Sequence, residues 1–150
     1  MKKKYLIILI LFIQIGFIYG QETIDVRKQY STYKSGQIIC TDNVTFNFSP
    51  IQLSSEPYDV KIIGVFKPDM KFDNPRFMPN PIQTEGCIKV LYTNENDPIK
   101  KGDLITSSST PGVGMKATKP GIIIGIAMED GLDQNGTVLI RILIQYANPM

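Results

Sequence analysis

The chain contains no histidine. That excludes a histidine-dependent catalytic triad and a histidine-ligated zinc ion. Its only cysteines are Cys40 and Cys87, too few for a cysteine-only zinc site within one chain. No stretch beyond residue 20 shows sustained helical periodicity. An excess of basic charge is lacking too. The 16 Lys and Arg against 14 Asp and Glu give +2, and Lys2, Lys3 and Lys4 open the chain; without them 13 face 14, a net charge of −1. So balanced a domain carries no electrostatic footprint for nucleic acid.

The first segment present is an address. Lys2 to Lys4 precede an apolar run from Tyr5 to Ile18, broken by Gln14 and Gly16, and the small residue Gly20 stands before Gln21. This is the layout of a secretory signal peptide over residues 1–20, and it predicts export to the periplasm, cell surface or medium. The run is short for a membrane span, which takes roughly 20 apolar residues. Ile18 is a poor residue at the −3 position, so a retained membrane anchor is the alternative, and a membrane partner is expected only in that case. In an oxidising compartment Cys40 and Cys87 can pair, a disulfide that would contribute about 2–4 kcal/mol if its geometry fits. Two separate buried thiols are the other reading.

Beyond the signal, residues 21–36 read as a polar N-terminal arm and 37–150 as one β-domain. The runs Gln37–Cys40 and Val44–Phe48 flank the turn pair Asp42-Asn43. In Asp59–Lys67, Val60, Ile62, Gly64 and Phe66 share one face, and Gly64 predicts a bulge or a close backbone approach. Pro68, Pro75, Pro79 and Pro81 make residues 68–86 a long loop, with Phe72, Phe77 and Met78 available either to close one end of the fold or to meet a partner. Cys87–Thr93 alternates, Leu104–Ser107 is a short strand, and Ile122–Met128 is a longer apolar one. Thr137–Tyr146 alternates most clearly, with Val138, Ile140, Ile142, Ile144 and Tyr146 on one face. Asn135-Gly136 before it is a hairpin signal. The fold class is all-β: a single compact barrel-like or folded-sheet domain after the signal peptide.

Residues 98–117 are the most distinctive stretch. Gly102 can supply a positive φ in a turn, and Asp103 can accept backbone N–H bonds there. Leu104 and Ile105 enter a strand, and Ser107 to Thr110 offer hydroxyls to local backbone groups. Pro111-Gly112 forms a second turn, and Gly114 leaves room for a neighbour. Met115 and Ala117 then point inward and Lys116 outward. The run from Gly102 to Ala117, followed by Gly121-Ile-Ile-Ile-Gly-Ile-Ala-Met-Glu, resembles a β-module that recurs in phage tail-fibre and bacterial surface proteins. That module reads Gly-Asp-Leu-Leu-Thr-Thr-Ser-x-Thr-Pro-Gly-x-Ala-Met-Lys-Ala. The resemblance spans about residues 88–145, and this chain departs from it at Gly114, where the module tends to carry alanine. The stretch also resembles, more distantly, the maturation domain of phage neck-appendage proteins, which implies an autoproteolytic assembly chaperone.

Other chemistry finds little footing. Ser31-Thr-Tyr-Lys34 matches the Ser-x-x-Lys of penicillin-recognising enzymes, but their Lys-Thr-Gly strand is missing. Gly112 to Lys116 suggests a phosphate loop, yet Pro120 precludes the helix such a loop needs. A Ser/Lys dyad from Ser107, Ser108 or Ser109 with Lys116 requires a buried lysine. Glu95, Asp97, Asp103, Glu129, Asp130 and Asp133 read as solvated turn acids, without calcium-loop spacing. Asn43, Asn47 and Asn135 begin N-glycosylation sequons. The expectation is a non-catalytic structural or adhesion module, without metal or cofactor, acting by self-association or by binding a cell-surface protein or glycan. An autoproteolytic maturation domain and a small glycan or ligand binder are the alternatives.

Overall fold

Short aliphatic and β-branched runs cut by Gly, Pro, Asn and Asp form sheets, because each run is long enough for a strand and its boundary residues turn the chain. The computed structural model describes residues 32–41, 51–68 and 81–149. Every regular element among them is a strand: β1 (Ile38–Thr41), β2 (Ile51–Leu53), β3 (Ile62–Phe66), β4 (Ile82–Gln83), β5 (Cys87–Thr93), β6 (Leu104–Ser107), β7 (Gly114–Lys116), β8 (Gly121–Ala127) and β9 (Asn135–Ala147). Residues from Tyr33 onward form one unit. It holds a four-stranded sheet in the order β2-β1-β3-β4 and a closed barrel in the order β5-β7-β6-β8-β9. The all-β expectation holds, and barrel and folded sheet coexist. Residues 1–20, read above as a signal peptide, residues 21–31 of the expected arm, Val44–Phe48 with Asn43 and Asn47, and Phe72, Phe77 and Met78 lie outside the described residues.

One buried apolar cluster runs through both layers. Ile38, Cys40, Ile62 and Val65 come from the sheet; Ile88, Val90, Tyr92, Ile105, Ile124, Val138 and Ile140 come from the barrel. The period-two pattern of β5 is reproduced, with Ile88, Val90 and Tyr92 buried and Lys89 exposed. The arm ends inside the unit. Tyr33 donates to the Ile51 carbonyl at 2.8 Å and packs edge-on against Phe66, and Gly36 bonds to both Phe66 and Leu91.

Several expectations need correction. Val60 is not on a strand face; it sits in the turn before β3 and is 75% exposed. A Cβ on Gly64 would collide with Gln83 and Ile82 of β4, so the close approach is real and comes from a two-residue strand within the predicted loop. Asn135-Gly136 is no hairpin turn: Asn135 pairs with Thr93 and Gly136 with Tyr92, and the turn lies between Ala127 and Asn135. Cys40 and Cys87 do not form a disulfide. Cys40 is buried in the sheet, whereas Cys87 opens β5 on its exposed face, so their side chains occupy different environments.

The face of β9 is also not continuous. Ile123 pairs with Gln145 and Gly125 with Ile142, so Leu143 and Ile144 together oppose Ile124. This is a β-bulge. Val138, Ile140 and Ile142 point into the core, but beyond the bulge Ile144 is half-buried and Tyr146 is 68% exposed. Beside the bulge, a Cβ on Gly125 would strike the Arg141 carbonyl. Gly125→Ala forces β8 away from β9 and is expected to cost about 1–3 kcal/mol, read as a lower urea midpoint at unchanged m-value.

Candidate functional site

The motif residues come together at the seam between sheet and barrel. The first turn forms as its composition demands. Gly102 has φ +93°, its N–H donates to the Ala127 carbonyl, and the Asp103 N–H donates to Lys100. Asp103 Oδ2 accepts the Lys100 N–H at 2.8 Å and pairs with Lys116 Nζ at 3.2 Å. Both side chains are partly solvated, so the ion pair contributes little to stability. It also engages Lys116 with Asp103 and not with the serines.

Ser107 ends β6 fully buried. Its Oγ accepts the Asp59 N–H at 2.8 Å, and its O–H donates to the Glu56 carbonyl at 2.8 Å. Its own carbonyl accepts the Tyr58 N–H. One hydroxyl thus holds the 56–59 turn against the barrel, a non-local role that sequence spacing does not reveal. Asp59, also buried, accepts the Lys61 N–H at 3.0 Å and the Ser55 N–H at 3.4 Å. It hydrogen-bonds the Cys40 thiol as well. Burial pushes that thiol far above the ordinary cysteine range, and the Asp59 hydrogen bond and charge push it further.

The second turn is local. Ser108 donates to the Val113 carbonyl at 2.8 Å and accepts the Thr110 N–H at 3.2 Å. Pro111 and Gly112 follow, and Gly112 takes φ +74°. Its N–H donates to Ser54 and its carbonyl accepts from Ile38, which ties the turn to the sheet. Ser109 offers its N–H and its hydroxyl to Glu95 Oε2 at 2.9 and 2.8 Å. Gly114 begins β7, Met115 and Ala117 are buried and Lys116 is half-buried, as the pattern predicts. A Cβ at Gly114 would press on Ile105, Thr106 and Ile38.

The motif residues do not assemble a Ser/Lys dyad. The hydroxyls of Ser107, Ser108 and Ser109 are each hydrogen-bonded within the fold, and Lys116 faces Asp103. The turn acids are not merely solvated. Glu129 accepts the Leu139 N–H at 2.8 Å, and Asp130 accepts the Lys101 N–H at 2.7 Å. With Glu95 and Asp103 they staple loops to one another. Two open clefts adjoin the barrel. One of about 680 Å³ is lined by Lys89, Tyr92, Met128 and Leu132 among others. The second, about 510 Å³, contains Asp103, Lys116 and Asn148. No cluster of Cys, Asp and Glu suited to a metal forms among the described residues, nor is any helix there long and apolar enough to cross a membrane.

Tyr58 is the residue that pattern reading missed. It has φ +60°, rare for a side-chain-bearing residue. Its hydroxyl accepts the Thr118 N–H at 2.9 Å and the Lys119 N–H at 3.2 Å, and Lys119 Nζ lies 5.0 Å from its ring centre. Partial burial pushes the Tyr58 hydroxyl up, but those N–H groups and the Lys119 ammonium outweigh it and hold it below the usual tyrosine value. The small residue Gly121 beneath its ring is the one sequence signal that could have exposed it.

Comparison with protein-family profiles, curated proteins and solved structures finds no match.

Ser107→Ala is expected to lower unfolding free energy by about 1–3 kcal/mol, while the exposed Ser109→Ala stays within about 0.5 kcal/mol. Urea titration separates them, and equal losses would contradict the seam role. For Tyr58, the lowered native pKa means that the native state gives up its phenolic proton first. The extra stability appears as pH rises through the native pKa and is lost as pH falls back through it. The stability advantage over Tyr58→Phe should therefore widen between pH 7 and about 10, the ordinary tyrosine value.

Proposed function

We propose that this chain is an exported structural or adhesion module that works by association and not by catalysis. The observation that carries this reading is the end of β9, where Leu143 is 42% and Tyr146 68% exposed beside an edge that no strand among the described residues pairs with. Apolar surface kept in water beside open backbone groups suits a partner better than solvent. The signal-like residues 1–20 support export, and the tail-fibre-like run from Gly102 to Ala117 supports an assembly role. The internal use of the motif hydroxyls points the same way, since it leaves the motif to shape and not to chemistry.

Light scattering at several hundred micromolar, with binding assays on glycan arrays and bacterial surfaces, tests this. Self-association or surface binding is the expected result. A monomer that binds nothing removes the proposal. Intact mass followed over days covers the autoproteolytic alternative: an unchanged mass is expected, and fragments forming at a concentration-independent rate would put self-cleavage in its place.

A further inference from the structure

β9 outruns its partner on one side. β5 covers it from Asn135 to Arg141, where Cys87 pairs with Arg141. The Ile142 N–H still reaches the Gly86 carbonyl at 2.8 Å, and there the chain turns away. From Leu143 to Ala147 the other side of β9 stays paired with β8, but no strand among the described residues pairs with this edge. The segment Leu-Ile-Gln-Tyr-Ala carries no charge and no proline, so it lacks the devices that normally blunt a sheet edge.

Resting on the association reading above, we propose that this edge pairs antiparallel with the same edge of a second copy of the chain, about a two-fold axis at Gln145. The occupant follows from the symmetry of the segment. Antiparallel pairing about Gln145 sets Leu143 opposite Ala147 and Ile144 opposite Tyr146, apolar against apolar, and Gln145 opposite itself. No like charges meet within the ladder, and a net charge of −1 without Lys2 to Lys4 adds little long-range repulsion. The contact is isologous, so it closes at two copies and does not propagate into fibres. A ladder this short lies at the low end of stable interfaces, so the dimer forms at high protein concentration and dissociates on dilution.

The test uses the thiols already present. Cys40 is buried and Cys87 exposed, so a maleimide or nitroxide labels Cys87 in the native full-length protein. Pairing about Gln145 puts the two Cys87 Cα atoms roughly 25 Å apart, from about 3.3 Å rise per residue. Double electron–electron resonance should give one distance in that range, lengthened by the label arms, only at concentrations where sedimentation shows dimer. Gln145→Lys sets two lysines face to face and should weaken the dimer at least tenfold, as should Gln145→Glu. Mixing the two variants should restore it, while Leu132→Lys, in the exposed loop that precedes the far end of β9, leaves it unchanged. A dimer indifferent to Gln145→Lys, or with a different distance, overturns the β9 pairing and leaves the association reading intact. A monomer at every concentration also overturns the pairing; association then survives only if surface or glycan binding is seen.

Discussion

The hydroxyl of Ser107 stands where the two layers of this protein meet, and much of the remaining geometry follows from its needs. A buried hydroxyl has one proton to donate and lone pairs to fill. Ser107 meets both demands with the backbone of one turn, giving its proton to Glu56 and taking the Asp59 N–H. For a single turn to present a carbonyl and an N–H to one atom, the chain between them must bend sharply. Tyr58 absorbs that bend with φ +60°, a conformation that costs on the order of 1 kcal/mol. Its side chain offsets the cost: the ring covers Gly121 and the hydroxyl collects the Thr118 and Lys119 N–H groups. The Asp59 carboxylate gathers Lys61, Ser55 and Cys40 on the sheet side. A contact that begins at the end of β6 thereby orders the turn before β3, the thiol of β1 and the loop before β8.

The same economy governs the acids. A small barrel with short strands has many loop N–H groups that no ladder can satisfy, and each is costly if buried without a partner. Glu95, Asp103 and Asp130 each accept a loop N–H, and Glu129 accepts that of Leu139 within β9. Tyr92 adds a neutral version, with its hydroxyl donating to the Asp133 carbonyl and accepting the Asp133 N–H.

Local pattern made the strands legible, and distance along the chain made the seam illegible. β5 and β6 follow from alternation and turn residues within a ten-residue window, as do the inward Met115 and Ala117 and the bend at Gly102. The reach of Ser107 to Glu56 spans 51 positions, and nothing in the composition near Ser107 announces it. β2 and β4 went unread because two or three residues are too few to show a period. Asn135-Gly136 misled for the opposite reason: a strong local turn signal yielded to non-local strand pairing, Asn135 with Thr93 and Gly136 with Tyr92. Residues such as Phe72 and Phe77 lie outside the described structure and contribute nothing to this comparison.

The bulge in β9 is where pattern and function part company. An unbroken period of two would have carried Ile144 and Tyr146 onto the same buried face as Val138 and Ile140. One extra residue opposite Ile124 breaks that sequence of faces. Ile144 still packs against the core cluster, so the strand remains anchored past the point where β5 leaves it. Tyr146 and Leu143 are released toward solvent instead. A strand end held firmly on one side, unpaired on the other among the described residues and free of charge is a template for a further strand. The anchoring matters as much as the opening, since a frayed terminus would have to be ordered before it could pair, whereas this edge is already held in the extended form that a second strand requires.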